Sequence, residues 1–288
     1  MEIAWIGTGI MGAPLARRLL RAGHHVRVHN RSAEKARALA DDGALVAADA
    51  AEAARGAEVV FIMVSGTPDV EGVAAKIEPV LARGQLVIDM STIAPDAERT
   101  IAARLAKRGA DYLDAPVSGG ETGAIEGTLA IMVGGGEAAF ARARPLFDLL
   151  GKRVTHMGAA GAGQTTKLAN QIAVAVTLEA AAEALLFARQ GGLDPAKVIE
   201  AIGAGAAGSW QLNNLGPKIV AGDFRPGFFV QLMRKDLRLV AEAARTQRLA
   251  LPGLALMSSM FNAASALGHD RDGTQAVAAA LDSVALLK

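Results

Sequence analysis

The sequence contains no cysteine. Disulfides, thiolate metal sites and a cysteine nucleophile are therefore excluded, and a reducing cytoplasm is the expected location. Aromatic residues are scarce, at 4% against 51% hydrophobic residues in all, so the interior must be packed from Ala, Leu, Val and Ile. That balance favours helices and buried parallel strands. Neither sign of charge dominates: Lys plus Arg number 30, Asp plus Glu number 29, and no block of like charge occurs. Neither nucleic acid nor a membrane is an expected partner. The five histidines, His24, His25, His29, His156 and His269, lack the spacing of metal ligands, and no metal is expected. The opening residues Glu2 to Ile6 read as a strand rather than as the basic and apolar parts of a signal peptide, so no leader is expected.

One stretch, Leu249 to Gly268, has no Asp, Glu, Lys or Arg and is long enough to span a bilayer. Its Leu254, Met257, Phe261 and Ala264 recur at helical spacing, opposite Ser258, Ser259, Asn262 and Ser265. That pattern predicts a buried amphipathic helix instead.

At 288 residues the chain exceeds the usual size of one compact domain, and two are expected. In the first half, β-branched runs alternate with Ala/Arg/Glu-rich helical stretches, the grammar of a doubly wound parallel sheet. Strands are predicted at Ile3 to Gly7, His25 to His29, Val59 to Val64, Leu86 to Met90, Asp111 to Asp114, Leu129 to Val133 and Val154 to Met157. Helices are predicted at Met11 to Ala22, Glu34 to Asp41, Ala50 to Arg55, Val70 to Val80, Pro95 to Arg108 and Glu137 to Leu150. After the glycine-rich Gly158 to Gly163 everything reads as helix, beginning with an unbroken run from Gln164 to Gln190. The expected organisation is an α/β Rossmann domain over residues 1–161 and an all-α domain over residues 162–288.

Gly7, Gly9 and Gly12, with Thr8, Ile10 and Met11 between them, form G-x-G-x-x-G directly after a strand and at the opening of a helix. In that context the glycines make a tight turn, admit a pyrophosphate close to the backbone and aim the helix N-terminus at it. The second strand ends at Asn30, Arg31 and Ser32, where an NAD-specific protein usually carries a carboxylate for the ribose hydroxyls. Asn30 can bond a ribose oxygen, Arg31 offers a guanidinium to a 2′-phosphate, and Ser32 offers a hydroxyl. NADP is thus the expected cofactor, with NAD possible; a solvated Arg31, or one stacked on adenine, is the alternative. Ser118, Gly119 and Gly120 follow a strand end and could cradle a carboxylate or simply form a turn. Lys167 and Asn170, three apart, project from one helix face, where a lysine most often is a solvated surface cation.

Four segments together resemble the 3-hydroxyisobutyrate dehydrogenase, or β-hydroxyacid dehydrogenase, family. They are Trp5 to Pro14, Asp114 to Gly120, Gly161 to Gln171 and Leu232 to Leu237, and the resemblance extends over essentially the whole chain. It implies a C-terminal domain of the 6-phosphogluconate dehydrogenase type and interconversion of a small carboxylate-bearing aldehyde with its β-hydroxyacid. It implies that Lys167 is the proton donor and acceptor, that Asn170 orients substrate, and that Ser118, Gly119 and Gly120 hold the substrate carboxylate. Met63, Val64, Ser65, Asp69 and Thr92 are implied to border the cofactor, and Lys235 to reach the same region. Gln171 stands where many members carry a second Asn, and Val64-Ser65 where many carry Leu-Pro. Trp210 reads equally as a substrate-pocket residue or as core filler. A catalytically silent cofactor-binding module is the reading from another class, and the retained Lys167 argues against it. The apolar helical half further predicts a homo-oligomer, a dimer or tetramer.

Overall fold

The structure, a computed structural model, describes residues 1–285. The chain divides into two compact units, Met1–Lys167 and a helical unit from Leu168 onwards. The first runs β1 (Glu2–Ile6), α1 (Gly12–Arg21), β2 (His25–His29), α2 (Ala33–Arg37), β3 (Leu45–Val46), α3 (Ala50–Ala54), β4 (Val59–Ile62), α4 (Thr67–Ile77), β5 (Leu86–Asp89), α5 (Pro95–Ala106) and β6 (Asp111–Asp114). It continues through β7 (Val117–Ser118), α6 (Gly120–Glu126), β8 (Leu129–Gly135), α7 (Glu137–Leu150) and β9 (Gly151–Gly158). Strands lie in the order β3-β2-β1-β4-β5-β6, all parallel, which is the doubly wound arrangement.

The sheet is not parallel throughout, as the sequence pattern suggested. β8 pairs antiparallel with both β6 and β7, and β9 then pairs parallel with β8. The short strands β3 and β7 went unread because two residues cannot display a period of two. Helix α2 ends at Arg37 rather than Asp41, and Ser118-Gly119-Gly120 is no open loop: Ser118 closes β7 and Gly120 begins α6.

Why the central strands read as continuous apolar runs is plain from their faces. On one face Ile3, Trp5, Phe61 and Ile88 pack with Leu15 and Leu19 of α1 and Phe147 of α7. On the other, Ala4, Ile6, Val60, Ile62 and Val87 pack with Ala50 and Ala53 of α3, Ala74 of α4 and Ile101 of α5. Both faces are covered, so alternate residues of one strand enter different cores. Much of the second core is alanine, which lets short helices sit close to the strands.

The helical region begins with α8 (Ala162–Gln190), inside which the division between units falls. It is followed by α9 (Pro195–Gly203), a π-helical turn at Gln211–Leu215, α10 (Gly216–Val220), α11 (Val230–Thr246), α12 (Pro252–Ala266) and α13 (Val277–Ala285). Within the second unit α12 buries Leu254, Met257, Phe261 and Ala264, as its spacing predicts. Arg234 of α11 fastens it by donating to Asn262 Oδ1 at 2.9 Å and Ser265 Oγ at 2.6 Å. By length and composition α8, not the Leu249–Gly268 stretch, is the helix among the described residues that could cross a membrane; in the structure its Leu168, Ala175, Leu178, Ala182 and Leu185 are buried, while Val176 and Phe187 are exposed.

Candidate active site

Parallel strands present their C-terminal ends along one edge of a sheet, and that edge collects the predicted cofactor residues. Gly7 follows β1, Asn30 follows β2, Met63 follows β4, and Thr92 lies just beyond β5. Strand order reverses between β1 and β4, the position at which open α/β sheets bind nucleotides.

The three glycines divide the work. Gly7 has φ +102°, and a Cβ there would lie 2.0 Å from the Met63 carbonyl oxygen. A Cβ on Gly12 would lie 2.0 Å from the Gly7 carbonyl oxygen and 3.0 Å from Trp5 Nε1, which itself donates to that carbonyl. Those two glycines are required by the protein's own packing. Gly9 differs, since a Cβ there meets nothing within 4 Å. Its space is room for a ligand, and buried Thr8 Oγ1 beside it has no hydrogen-bond partner among the described residues. The loop thus fits a pyrophosphate, with Gly9 open and α1 behind it.

Asn30 is more constrained than its sequence position implied. Its Oδ1 accepts from the Thr8 backbone N–H at 3.0 Å, and its Nδ2 donates to the Ser32 carbonyl at 3.0 Å. It buckles the glycine loop to the end of β2, leaving one Nδ2 hydrogen for a ribose oxygen. Arg31 is 91% exposed and lies 3.6 Å from Asp69 Oδ1 in the first turn of α4. So exposed a pair holds the guanidinium only weakly. A surface cavity of about 380 Å³ is lined by His29, Asn30, Arg31, Arg37, Val46 and Ala47. Arg37 adds a second guanidinium that the sequence pattern did not single out, because it reads as an ordinary exposed helix residue.

Deeper in the same unit lies a sealed polar cluster. Asp89, Glu98 and Asp114 are all 0% exposed. Burial pushes Asp89 up to about 6, raises Glu98 well above the usual carboxylate range and raises Asp114 too. Asp114 accepts the backbone N–H of Gly161 at 2.8 Å and of Gln164 at 2.9 Å, which serves the otherwise unpaired first turn of α8. A Cβ on Gly163 would lie 2.4 Å from the Met132 carbonyl oxygen and 2.7 Å from that of Asp114, so glycine is needed for α8 to start so close to β6 and β8. By this anchorage the strand end leading to Ser118, Gly119 and Gly120 is tied to the helix turn before Lys167. Lys167 is 7% exposed, which overturns the solvated-cation reading. Sequence reasoning missed the cluster, although Asp114 and Gln164 both stand inside segments that carry the family resemblance.

In the second unit Asn170 Nδ2 donates to Gln171 Oε1 at 2.7 Å, and Gln171 Nε2 donates to Asp236 Oδ2 at 2.6 Å. Asp236 Oδ1 is 3.0 Å from Lys235 Nζ. The residue substituting for the second Asn therefore links Asn170 to the Lys-Asp segment. Trp210 takes no part in that chain; it is 62% exposed, which removes the core-filler alternative.

Comparisons with known proteins agree with this geometry. The sequence pattern of the NAD binding domain of 6-phosphogluconate dehydrogenase matches residues 2–158, and that of the NAD-binding domain of NADP-dependent 3-hydroxyisobutyrate dehydrogenase matches residues 161–281. The chain belongs to the 3-hydroxyisobutyrate dehydrogenase family. It is 43% identical to 2-hydroxy-3-oxopropionate reductase of Escherichia coli over 99% of this chain and 98% of the relative. It is 37% identical to a 3-hydroxyisobutyrate dehydrogenase of Pseudomonas aeruginosa over 94% of this chain and 95% of that one. The solved structure of Mycobacterium tuberculosis 3-hydroxyisobutyrate dehydrogenase with L-serine superposes with a TM-score of 0.91 at 34% identity, covering 97% and 98% of the two chains. The protein is an oxidoreductase of the NAD(P)-dependent β-hydroxyacid dehydrogenase type, with a nicotinamide dinucleotide as cofactor.

Proposed function

We propose that this enzyme reduces tartronate semialdehyde (2-hydroxy-3-oxopropionate) to the corresponding β-hydroxyacid, with NADPH preferred over NADH. The observation that carries the catalytic reading is Lys167, buried on the first turns of a helix whose start is fastened to the substrate-loop strand by Asp114. The substrate assignment is supported by Gly119-Gly120-Glu121, Gly127-Thr128-Leu129 and Lys167-Leu168-Ala169-Asn170-Gln171, together with the 43% identity to the E. coli reductase. 3-Hydroxyisobutyrate or a short-chain semialdehyde is the second reading, favoured by the mycobacterial relative, whose structure holds L-serine, itself a β-hydroxyacid.

In this reading residues 1–161 hold the cofactor, while residues 162–288 supply substrate contacts and the interface between subunits. Gly7 to Gly12, Asn30, Arg31, Ser32, Met63, Val64, Ser65, Asp69, Thr92 and Lys235 border the dinucleotide. When bound, the reduced nicotinamide supplies the hydride for the carbonyl carbon. Ser118, Gly119 and Gly120 hold the substrate carboxylate, and Trp210 covers the substrate. Asn170 orients the reacting oxygen. The Lys167 ammonium donates its proton to that oxygen as negative charge develops there, and in the oxidative direction the neutral amine accepts the hydroxyl proton. The weakly held Arg31 supports the NADPH preference, because a 2′-phosphate offers it a doubly hydrogen-bonded partner better than Asp69 at 3.6 Å.

The enzyme is expected in the cytoplasm and as a homo-oligomer, dimer or tetramer, given Phe187 at 83% and Leu193 at 60% exposure in the helical unit. Sedimentation showing a stable, active monomer would refute the oligomer. The deciding assay follows cofactor absorbance with tartronate semialdehyde, methylmalonate semialdehyde, succinic semialdehyde and glyoxylate, each with NADPH and NADH. Fastest turnover of tartronate semialdehyde is expected. Cofactor binding with no turnover of any of the four would favour the silent-module reading.

A further inference from the structure

Gln164 is the third residue of α8, a place where glutamine is ordinarily exposed, yet it is 0% exposed. A carboxamide buried that completely is costly unless every polar atom is paired. Here each one is. Nε2 donates to the Ser91 carbonyl at 2.8 Å and to Glu98 Oε1 at 2.7 Å, while Oε1 accepts from the Ile93 backbone N–H at 3.2 Å. Ser91 and Ile93 flank Thr92, so one carboxamide grips the peptide groups on both sides of that residue. The grip is braced from behind: Ser91 Oγ accepts from the Val64 N–H at 2.9 Å, the Ser91 N–H donates to Asp89 Oδ1 at 3.0 Å, and Tyr112 Oη donates to Glu98 Oε2. Burial, and the nearby carboxyls of Asp89 and Asp114, raise Glu98 well above the usual carboxylate range.

We propose that Gln164 is a positioning residue for catalysis, clamping the cofactor-bordering Thr92 segment to the helix turn that carries Lys167. It acts through Thr92 and Lys167 and touches neither substrate nor reacting atoms. Lys167 follows Gln164 by three positions, about one turn along the same helix face, so any slip at the clamp moves the acid relative to the cofactor loop. Displacements of about 1 Å in such an arrangement cost up to roughly 100-fold in rate. The inference rests on the role proposed above for Lys167.

The test compares Q164A, Q164E and K167A as purified full-length proteins, with active sites counted by NADPH fluorescence titration. For Q164A the expected result is a kcat per cofactor-binding site roughly 10-fold to 100-fold lower, with KM changed much less. Q164E keeps the shape and can accept from Ile93, but it must be protonated to donate to Ser91. Its kcat should therefore fall roughly tenfold or more between about pH 6 and 8 and recover on acidification, a limb absent from the wild type. Wild-type kcat per site in Q164A overturns the clamp, as does a Q164E profile parallel to the wild type. If Q164A does not fold, the Q164E profile decides alone. An inactive K167A beside fully active Gln164 variants removes only the clamp, whereas turnover surviving in K167A removes the lysine's role and this inference with it.

Discussion

Two sets of polar groups stand along the same edge of the sheet, one past β1 and β2 and the other past β5 and β6, and are built in opposite ways. Around the glycine loop, Gly9 faces empty space, Arg31 is held by one long exposed ion pair, and a surface cavity opens beside Asn30. Beneath α8, Asp89, Glu98, Asp114 and Gln164 are sealed and bonded to one another, to backbone and to Tyr112. Exposed polar groups are cheap to hold and free to be claimed by a ligand, which suits them to recognition. Sealed ones are expensive to leave unpaired, and here all but Asp89 Oδ2 among the buried carboxylate and carboxamide atoms of the cluster find a partner, which suits the set to holding one geometry.

Lys167 is where the sealed region is expected to meet chemistry, and its removal gives the largest expected effect. K167A should lose roughly 10²-fold to 10⁴-fold in kcat while NADPH affinity hardly changes. A folded, NADPH-binding K167A with near-wild-type turnover would place the proton source elsewhere.

Next in size is a contrast inside the loop itself. Gly7→Ala forces a Cβ into the Met63 carbonyl at a positive φ and should destabilise the fold by on the order of 4 kcal/mol, read as a lower denaturation midpoint. Gly9→Ala should fold like the wild type and lose cofactor affinity. Equal stability losses in the two variants would mean that Gly9 is structural too.

On the exposed rim, Arg31→Asp should weaken NADPH use by on the order of 2 to 4 kcal/mol in kcat/KM and affect NADH much less, since it removes a phosphate partner and adds a like charge. A wild-type enzyme that already favours NADH would invert this reading.

The smallest effect concerns another buried carboxyl, Glu179 of α8, which burial raises to about 7 and whose Oε2 has no partner among the described residues. Its folded value lies above its unfolded one, so its contribution to stability is present below about pH 4.5 and is lost as pH climbs through 7. Glu179→Gln should therefore leave stability near pH 4 almost unchanged. At pH 8 it should gain about 1 to 2 kcal/mol, less than the full shift implies because water screens part of the group's surroundings. Denaturant midpoints at the two pH values give the comparison directly; equal changes at both would show that Glu179 is already ionised without penalty.

The legible parts of this molecule were those written in local pattern. His25–His29, Asp111–Asp114 and Glu137–Leu150 match their predicted limits, and α12 turns inward the side its spacing marks. G-x-G-x-x-G is legible because a tight turn before a helix needs glycine at fixed positions. β3 and β7 were too short to show a period, and the antiparallel β8 was hidden because a strand's apolar pattern carries no direction.

By itself, then, the amino-acid sequence determined the succession of the longer strands and helices of the first unit and the glycine turn, which follow from periodicity and backbone sterics among near neighbours. It also carried the family through four separated segments. Only the tertiary structure decided that Lys167 is buried, that Asn30 serves the glycine loop, and that Gln164 reaches back 73 residues to Ser91. Glu98 has the sequence of an exposed helix residue and the surroundings of a core one. Such pairings depend on the free energy of leaving a polar group dry and unpaired, and only the folded chain settles which groups are dry.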